Sequence, residues 1–206
     1  MPDDKVQYTC LTLEGVVTIG TGCTLDYAVA YPVFPAHAAL SAVYAAHAAR
    51  CRAEILALGP TLRALPHGCL GPHLRIEHTF EVTYAAGGLL SLYFDRYEDL
   101  GLFRTGLGRW SEVRRLPEGR LLGLRDLMAD PAAARQVIDR TIETEIASAP
   151  PGQYFGTWRR SPRWFFLSER GLCVYYRPGD ITARSGGIPT FLIPWDALRP
   201  YTKIPL

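Results

Sequence analysis

An α+β fold, in which antiparallel sheets (hairpins and a meander) are covered by two amphipathic helices, follows from three features of the 206-residue chain. Runs rich in aromatic and β-branched residues recur along it, turns containing Gly or Pro separate them, and two segments instead carry helical periodicity with one apolar stripe. Antiparallel strands whose apolar faces are closed by helices define that class. At roughly 100–200 residues per domain, the length favours one domain over residues 1–206, with halves 1–112 and 113–206.

Val6 to Thr18 and Cys23 to Val33 favour strands, and Gly20-Thr21-Gly22 supplies the turn of a hairpin. Asp26, the only charge in the second strand, is read as solvent-facing rather than catalytic. Pro35 opens a helix predicted to run to about Leu58, where Gly59-Pro60 ends it. Leu40, Tyr44, His47, Cys51, Ile55 and Leu58 recur at helical spacing and form its core stripe. His47 and Cys51 stand one turn apart on that stripe, and their burial side by side is favoured over a metal site.

The next stretch, His67-Gly68-Cys69-Leu70-Gly71-Pro72-His73 with His78 beyond, gathers three imidazoles and a thiol. It lacks the Cys-x-x-Cys and His-x-x-x-His pairs of zinc sites, so it reads as a Gly/Pro loop and no metal is expected. Leu74 to Tyr84 then alternates without error. Leu74, Ile76, His78, Phe80, Val82 and Tyr84 share one face, and Arg75, Glu77, Thr79, Glu81 and Thr83 the other, which predicts an antiparallel strand with one wet face. Gly87-Gly88 turns it into a strand from Leu89 to Tyr97, and Leu102 to Val113 adds a third. Glu77 and Glu81 are paired carboxylates of the kind glycosidases use. Neither stands in an apolar setting that would raise a carboxyl pKa, so a solvated face is expected.

Asp130 caps a second helix with Pro131 at its first position, Val137, Ile138, Ile142 and Ile146 form its buried stripe, and Pro150-Pro151-Gly152 stops it. The link that follows interleaves Trp158, Arg159, Arg160 and Trp164, and stacked Arg and Trp recur in contacts with proteins, glycans and single strands. These four residues are a candidate secondary surface. Trp164-Phe165-Phe166-Leu167 and Leu172-Cys173-Val174-Tyr175-Tyr176 flank Ser168-Glu169-Arg170-Gly171, predicting a hairpin with Gly171 at positive φ. A ten-residue loop from Pro178 to Gly187 has no apolar periodicity, and a strand from Thr190 to Ile193 runs into Pro194-Trp195-Asp196-Ala197-Leu198. Loops held on a rigid scaffold carry function disproportionately. Pro178, Gly179, Asp180, Arg184 and Gly187 are therefore the candidate ligand-binding loop.

The net charge of +2 lacks the strongly basic footprint of a nucleic-acid binder, and no apolar run reaches membrane-spanning length. Met1-Pro2-Asp3-Asp4-Lys5 has neither the basic nor the apolar region of a signal peptide, so a cytoplasmic protein is expected. Cys10, Cys23, Cys51, Cys69 and Cys173 show no paired spacing, which predicts free thiols, with Cys51 buried. No nucleophile elbow, phosphate loop, dinucleotide fingerprint or metalloprotease motif occurs. Neither catalytic residues nor a cofactor are expected.

Phe166-Leu167, Gly171-Leu172, Val174-Tyr175-Tyr176, Pro178, Asp180-Ile181, Gly187-Ile188-Pro189 and Ile193 to Leu198 fall in register with one pattern. Upstream, Glu118-Gly119 precedes Leu122, Leu124 and Asp126-Leu127-Met128 in the same order. From about Leu89 onward the chain resembles the domain of unknown function at the C-terminal end of the RsiV anti-sigma factor ectodomain and of PdaC-type peptidoglycan deacetylases. Residues 1–88 match only in the order of elements.

The resemblance implies a bacterial, non-enzymatic binding domain whose partner is a protein or an anionic cell-wall polymer. Its alternative implication is an accessory or degenerate unit of a cell-wall glycan deacetylase system. Relatives of this type are extracytoplasmic. Gly179 and Arg184 replace the family's loop tyrosines, and Glu98-Asp99-Leu100-Gly101 stands where the family has Gly-Gly-Ala-His-Gly. The resemblance also implies lysozyme as a partner, which the local charge opposes. Arg177 and Arg184 are offset in the loop only by Asp180, and Arg159, Arg160 and Arg163 are near in sequence, so a basic lysozyme is expected to bind weakly or not at all.

Overall fold

The computed structural model of the chain describes residues 6–20, 22–65, 70–102, 104–161 and 163–204. Strands β1 (Thr9–Gly20) and β2 (Cys23–Val33) form the expected antiparallel hairpin, with Gly22 at φ 75° in the turn. Helix α1 (Ala38–Arg63) follows, then β3 (His73–Ala86), β4 (Leu89–Asp99), β5 (Thr105–Arg115) and the short β6 (Arg120–Leu121). The six strands make one sheet in sequence order. It is mixed rather than wholly antiparallel, because β2 and β3 pair in parallel, Thr24 opposite His73 through Val29 opposite His78. A parallel pair needs a crossover of about a dozen residues or more, and α1 supplies it.

Both expected ends of α1 shift. Pro35 stands ahead of the helix, and Ser41 closes the entry by accepting from the Phe34 amide at 2.8 Å. At the other end the helix passes through Gly59-Pro60 to Arg63 instead of stopping at Leu58. Contacts with β1 hold this last turn. Gly59 is buried near the Val17 side chain, and the Arg63 guanidinium donates to the Thr18 carbonyl at 3.2 Å. The stripe is otherwise as expected: Leu40, Tyr44, Cys51 and Ile55 are buried, His47 and Leu58 half-buried.

The chain divides into two compact units, Val6–Phe80 with Phe94–Gly108, and Glu81–Tyr93 with Arg109–Leu206. Strands β3, β4 and β5 each run through both. The first unit buries Ala48, Cys51, Ile55 and Leu62 of α1 against Leu25, Val29, Leu74 and Ile76. Aromatic rings continue this core, with Tyr44 5.7 Å from Phe94 and 6.0 Å from Phe34.

The second unit adds α2 (Leu124–Leu127), α3 (Pro131–Ser148) and a three-stranded antiparallel sheet of β7 (Trp164–Ser168), β8 (Gly171–Tyr175) and β9 (Thr190–Pro194), followed by α4 (Trp195–Leu198). Asp130 caps α3 as expected, its carboxylate accepting from the Ala132 and Ala133 amides. Gly171 is not at positive φ, contrary to the expectation. A Cβ there would lie 2.2 Å from the Ile193 carbonyl oxygen, so β9 approaches too closely for any side chain. Strand β8 is buried throughout. Leu172, Val174 and the following Tyr176 join the core containing Ile138 and Ile142 of α3, while Cys173 and Tyr175 cluster with Phe166, Tyr93 and Trp164. Side-chain hydroxyls tie the small sheet to β4 and β5: Ser91 accepts from the Leu167 amide at 2.8 Å, and Ser111 donates to the Phe165 carbonyl at 2.6 Å.

Candidate functional site

Residues 178–187 leave the end of β8 and are pinned at their middle. Ile181 is fully buried in the α3 core and Thr182 is buried next to it. The Asp180 amide donates to the Arg177 carbonyl at 3.1 Å, and Gly179 takes φ 90° in this turn. A Cβ on Gly179 would meet Arg184 Cγ at 3.0 Å, so the Arg184 stem lies across bare backbone. Residues Arg184–Gly186 form a 3-10 turn, and Gly187 leaves it at φ 73°. Pro178 and Gly187 thus frame a loop whose exposed part is Gly179 together with Ala183, Arg184, Ser185 and Gly186.

The link preceding β7 is joined to this loop. The Phe155 amide donates to the Ile181 carbonyl at 2.7 Å, and the Thr157 hydroxyl donates to the Asp180 carbonyl at 3.1 Å. The loop and the Trp/Arg link, read from sequence as separate candidates, therefore meet. One member drops out: Trp158 is only 7% exposed and belongs to the core.

Arg159 lies 4.7 Å from the Trp158 ring centre and pairs with Glu143, and Arg163 pairs with Asp139. Both acids stand one turn apart on α3. They neutralise two of the five arginines that sequence proximity had counted as one positive patch. Arg160, Arg177 and Arg184 have no carboxylate partner among the described residues; Arg177 instead lies 4.5 Å from the Trp164 ring centre. Trp164 stacks on Tyr175 at 6.1 Å and 28°. Such cation–ring contacts hold a guanidinium in place without discharging it.

Trp164 also lines an open cleft of about 780 Å³. Its other walls are Leu124, Arg125 and Met128 of the α2 region, Asp130, Pro131, Ala132, Arg135 and Ile138 at the start of α3, and Arg163, Phe165 and Val174. No local pattern marks this cleft, because Arg125, Arg135 and Val174 belong to three elements that only the packing of α3 on β8 brings together.

The remaining candidates are held in local contacts. Glu77 pairs with Arg75 on the wet face, and Glu81 accepts from the Tyr93 hydroxyl. Cys51 Sγ lies 3.3 Å from His47 Nε2, and burial pushes its thiol pKa up, as it does that of Cys173. A raised thiol pKa disfavours the reactive thiolate. His78 is 4% exposed, and burial, with Arg96 and His47 nearby, lowers its pKa to about 4, so it is neutral at pH 7. Among the described residues no three His, Cys, Asp or Glu side chains are grouped to hold a metal ion; His67 and Cys69 lie outside them. Cys10, Cys23, Cys51 and Cys173 carry free thiols. No helix among the described residues is long and apolar enough to cross a membrane.

Residues 125–196 match the model of DUF3298, a protein family of unknown function. Comparison with curated proteins found no match. Among solved structures, a DUF3298 family protein from Pseudomonas aeruginosa PAO1 superposes with a TM-score of 0.67 at 17% identity, covering 98% of this chain and 96% of that one. A member of the same family from Bacteroides fragilis NCTC 9343 gives 0.63 at 15% identity, with 94% and 92% covered. In its fold, and in the sequence of its C-terminal segment, the chain is thus similar to DUF3298 proteins.

Proposed function

We propose that the protein is a non-enzymatic binding domain of the RsiV-like type, and that its partner is an anionic cell-wall polymer. The observation that carries this reading is the meeting of the 155–160 link with the 178–187 loop, where Arg160, Arg177 and Arg184 stand without acidic partners among the described residues. Protein interfaces draw most of their energy from aromatic anchors seated in pockets. Here Trp158 is buried and Gly179 has no side chain, so beside the single exposed ring of Phe155 the surface offers mainly spaced cations. A repeating polyanion needs only such spacing, and its binding weakens with salt.

Calorimetry with poly(glycerol phosphate) at about 0.05 and 0.15 M salt tests the proposal. Binding is expected to weaken at the higher salt and to fall further in a variant carrying Arg160→Ala and Arg184→Ala. Absence of heat at both salt levels would sink the reading, and tight binding of an acidic protein in its place would redirect it.

A further inference from the structure

We propose that the cleft between α3 and the β7–β8 hairpin binds a hydrophobic monocarboxylate. Its volume, about 780 Å³, lies in the range of small-molecule sites, roughly 300–1,000 Å³. Apolar lining comes from Met128, Ile138 and Val174, each no more than 3% exposed, and from the half-buried rings of Trp164 and Phe165. An aromatic or branched body of a few carbons beyond a headgroup suits such a lining.

Charge selects the headgroup. Arg125, Arg135 and Arg163 line the cleft together with one carboxylate, Asp130, and a second, Asp139, stands beside Arg163. Asp139 pairs with Arg163 and reaches Arg135 only at 3.8 Å, while Asp130 is engaged by the Ala132 and Ala133 amides of the cap. Three guanidiniums against two carboxylates leave one excess positive charge, which one carboxylate cancels. Arg125 is exposed and has no carboxylate partner among the described residues, so its planar fork is free to take a carboxylate in bidentate fashion. A dianion would overshoot this balance, and a neutral ligand would leave Arg125 unanswered. A free organic acid and the C-terminus of a peptide ending in a large apolar residue share this chemistry.

The test follows the indole N–H of Trp164 by NMR, assigned with Trp164→Phe. The probes are phenylbutyrate, phenylbutanamide, and the blocked peptide acetyl-Ala-Leu-Phe with a free or an amidated C-terminus. At least one carboxylate is expected to shift the resonance saturably, and the tighter of the two identifies the source. Each amide should bind on the order of fivefold more weakly than its acid, and Arg125→Ala should weaken the acid by a similar factor. Arg135→Ala, at an exposed side chain, gives a second variant whose folding is not at issue, and it should also weaken the acid. Arg184→Ala should change nothing here, which separates this site from the polymer surface. The proposal is overturned if neither acid shifts Trp164 at millimolar concentration, if the amides bind as well as the acids, or if Arg125→Ala is silent.

Discussion

The two units handle charge in opposite ways. In the α1 unit a titratable group, His78, is buried, with Arg96 and His47 nearby, and kept neutral. In the α3 unit, apart from the buried Arg114 that pairs with Glu112, guanidiniums stay at or near the surface, some answered by Glu143 and Asp139, others resting on the aromatic ring of Trp164 or left open. The first arrangement makes stability depend on pH, because a buried base must take up a proton on unfolding in acid. The second makes binding depend on salt, because exposed cations are screened. The candidate surfaces both lie in the α3 unit.

The largest effect that would test this contrast is loss of the α3 core. Phe191 is fully buried on β9, 5.9 Å from Tyr176. Phe191→Ala should cost roughly 3–5 kcal/mol in denaturant unfolding. The exposed Leu11 of β1, also apolar, should cost about 0.5 kcal/mol or less on the same change.

Next comes pH. His78 has a pKa of about 4 in the fold against the ordinary 6.5, so between those values the unfolded chain binds more protons. Stability is then fully present above pH 6.5 and is lost as pH falls toward 4, by about 3 kcal/mol from this group. Unfolding curves at pH 7 and 5 should show the loss, and His78→Leu should flatten that part of the slope. An unchanged slope in the variant would mean that the α1 unit does not store its acid sensitivity in this imidazole.

Smaller effects sharpen the picture on the α3 side. Asp130→Ala removes the acceptor for two helix amides and should cost about 1 kcal/mol. Arg159 and Glu143 are both more than half exposed, so a double-mutant cycle on that pair should return about 0.5 kcal/mol, diminishing with salt.

What could be read from the residues was largely local. The alternation from Leu74 to Tyr84, the Asp130-Pro131 start of α3 and the strand runs around Ser168–Gly171 encode their own structures through side-chain period, capping and turn chemistry. What escaped was set by contacts distant in sequence. The parallel pairing of β2 with β3 depends on α1 crossing between them, and Pro60 is tolerated because β1 holds the turn around it. Gly171 is required by the Ile193 carbonyl and not by its own φ. The candidate surface was legible as a loop and as an Arg/Trp link, but not in its charge. Glu143 and Asp139 lie far along the chain from the loop, and only the placement of α3 shows which arginines they answer.

The central claim is that the joined loop and link receive anions through Arg160, Arg177 and Arg184, and that a basic partner is disfavoured there. Calorimetry with a basic lysozyme at about 0.15 M salt, run beside the poly(glycerol phosphate) titration, tests it most directly. The account predicts a lysozyme dissociation constant weaker than about 1 μM, corresponding to about −8 kcal/mol, with the polymer binding in the same buffer. Lysozyme binding tighter than that, unaffected by changing Arg160 and Arg184 to alanine, would contradict it.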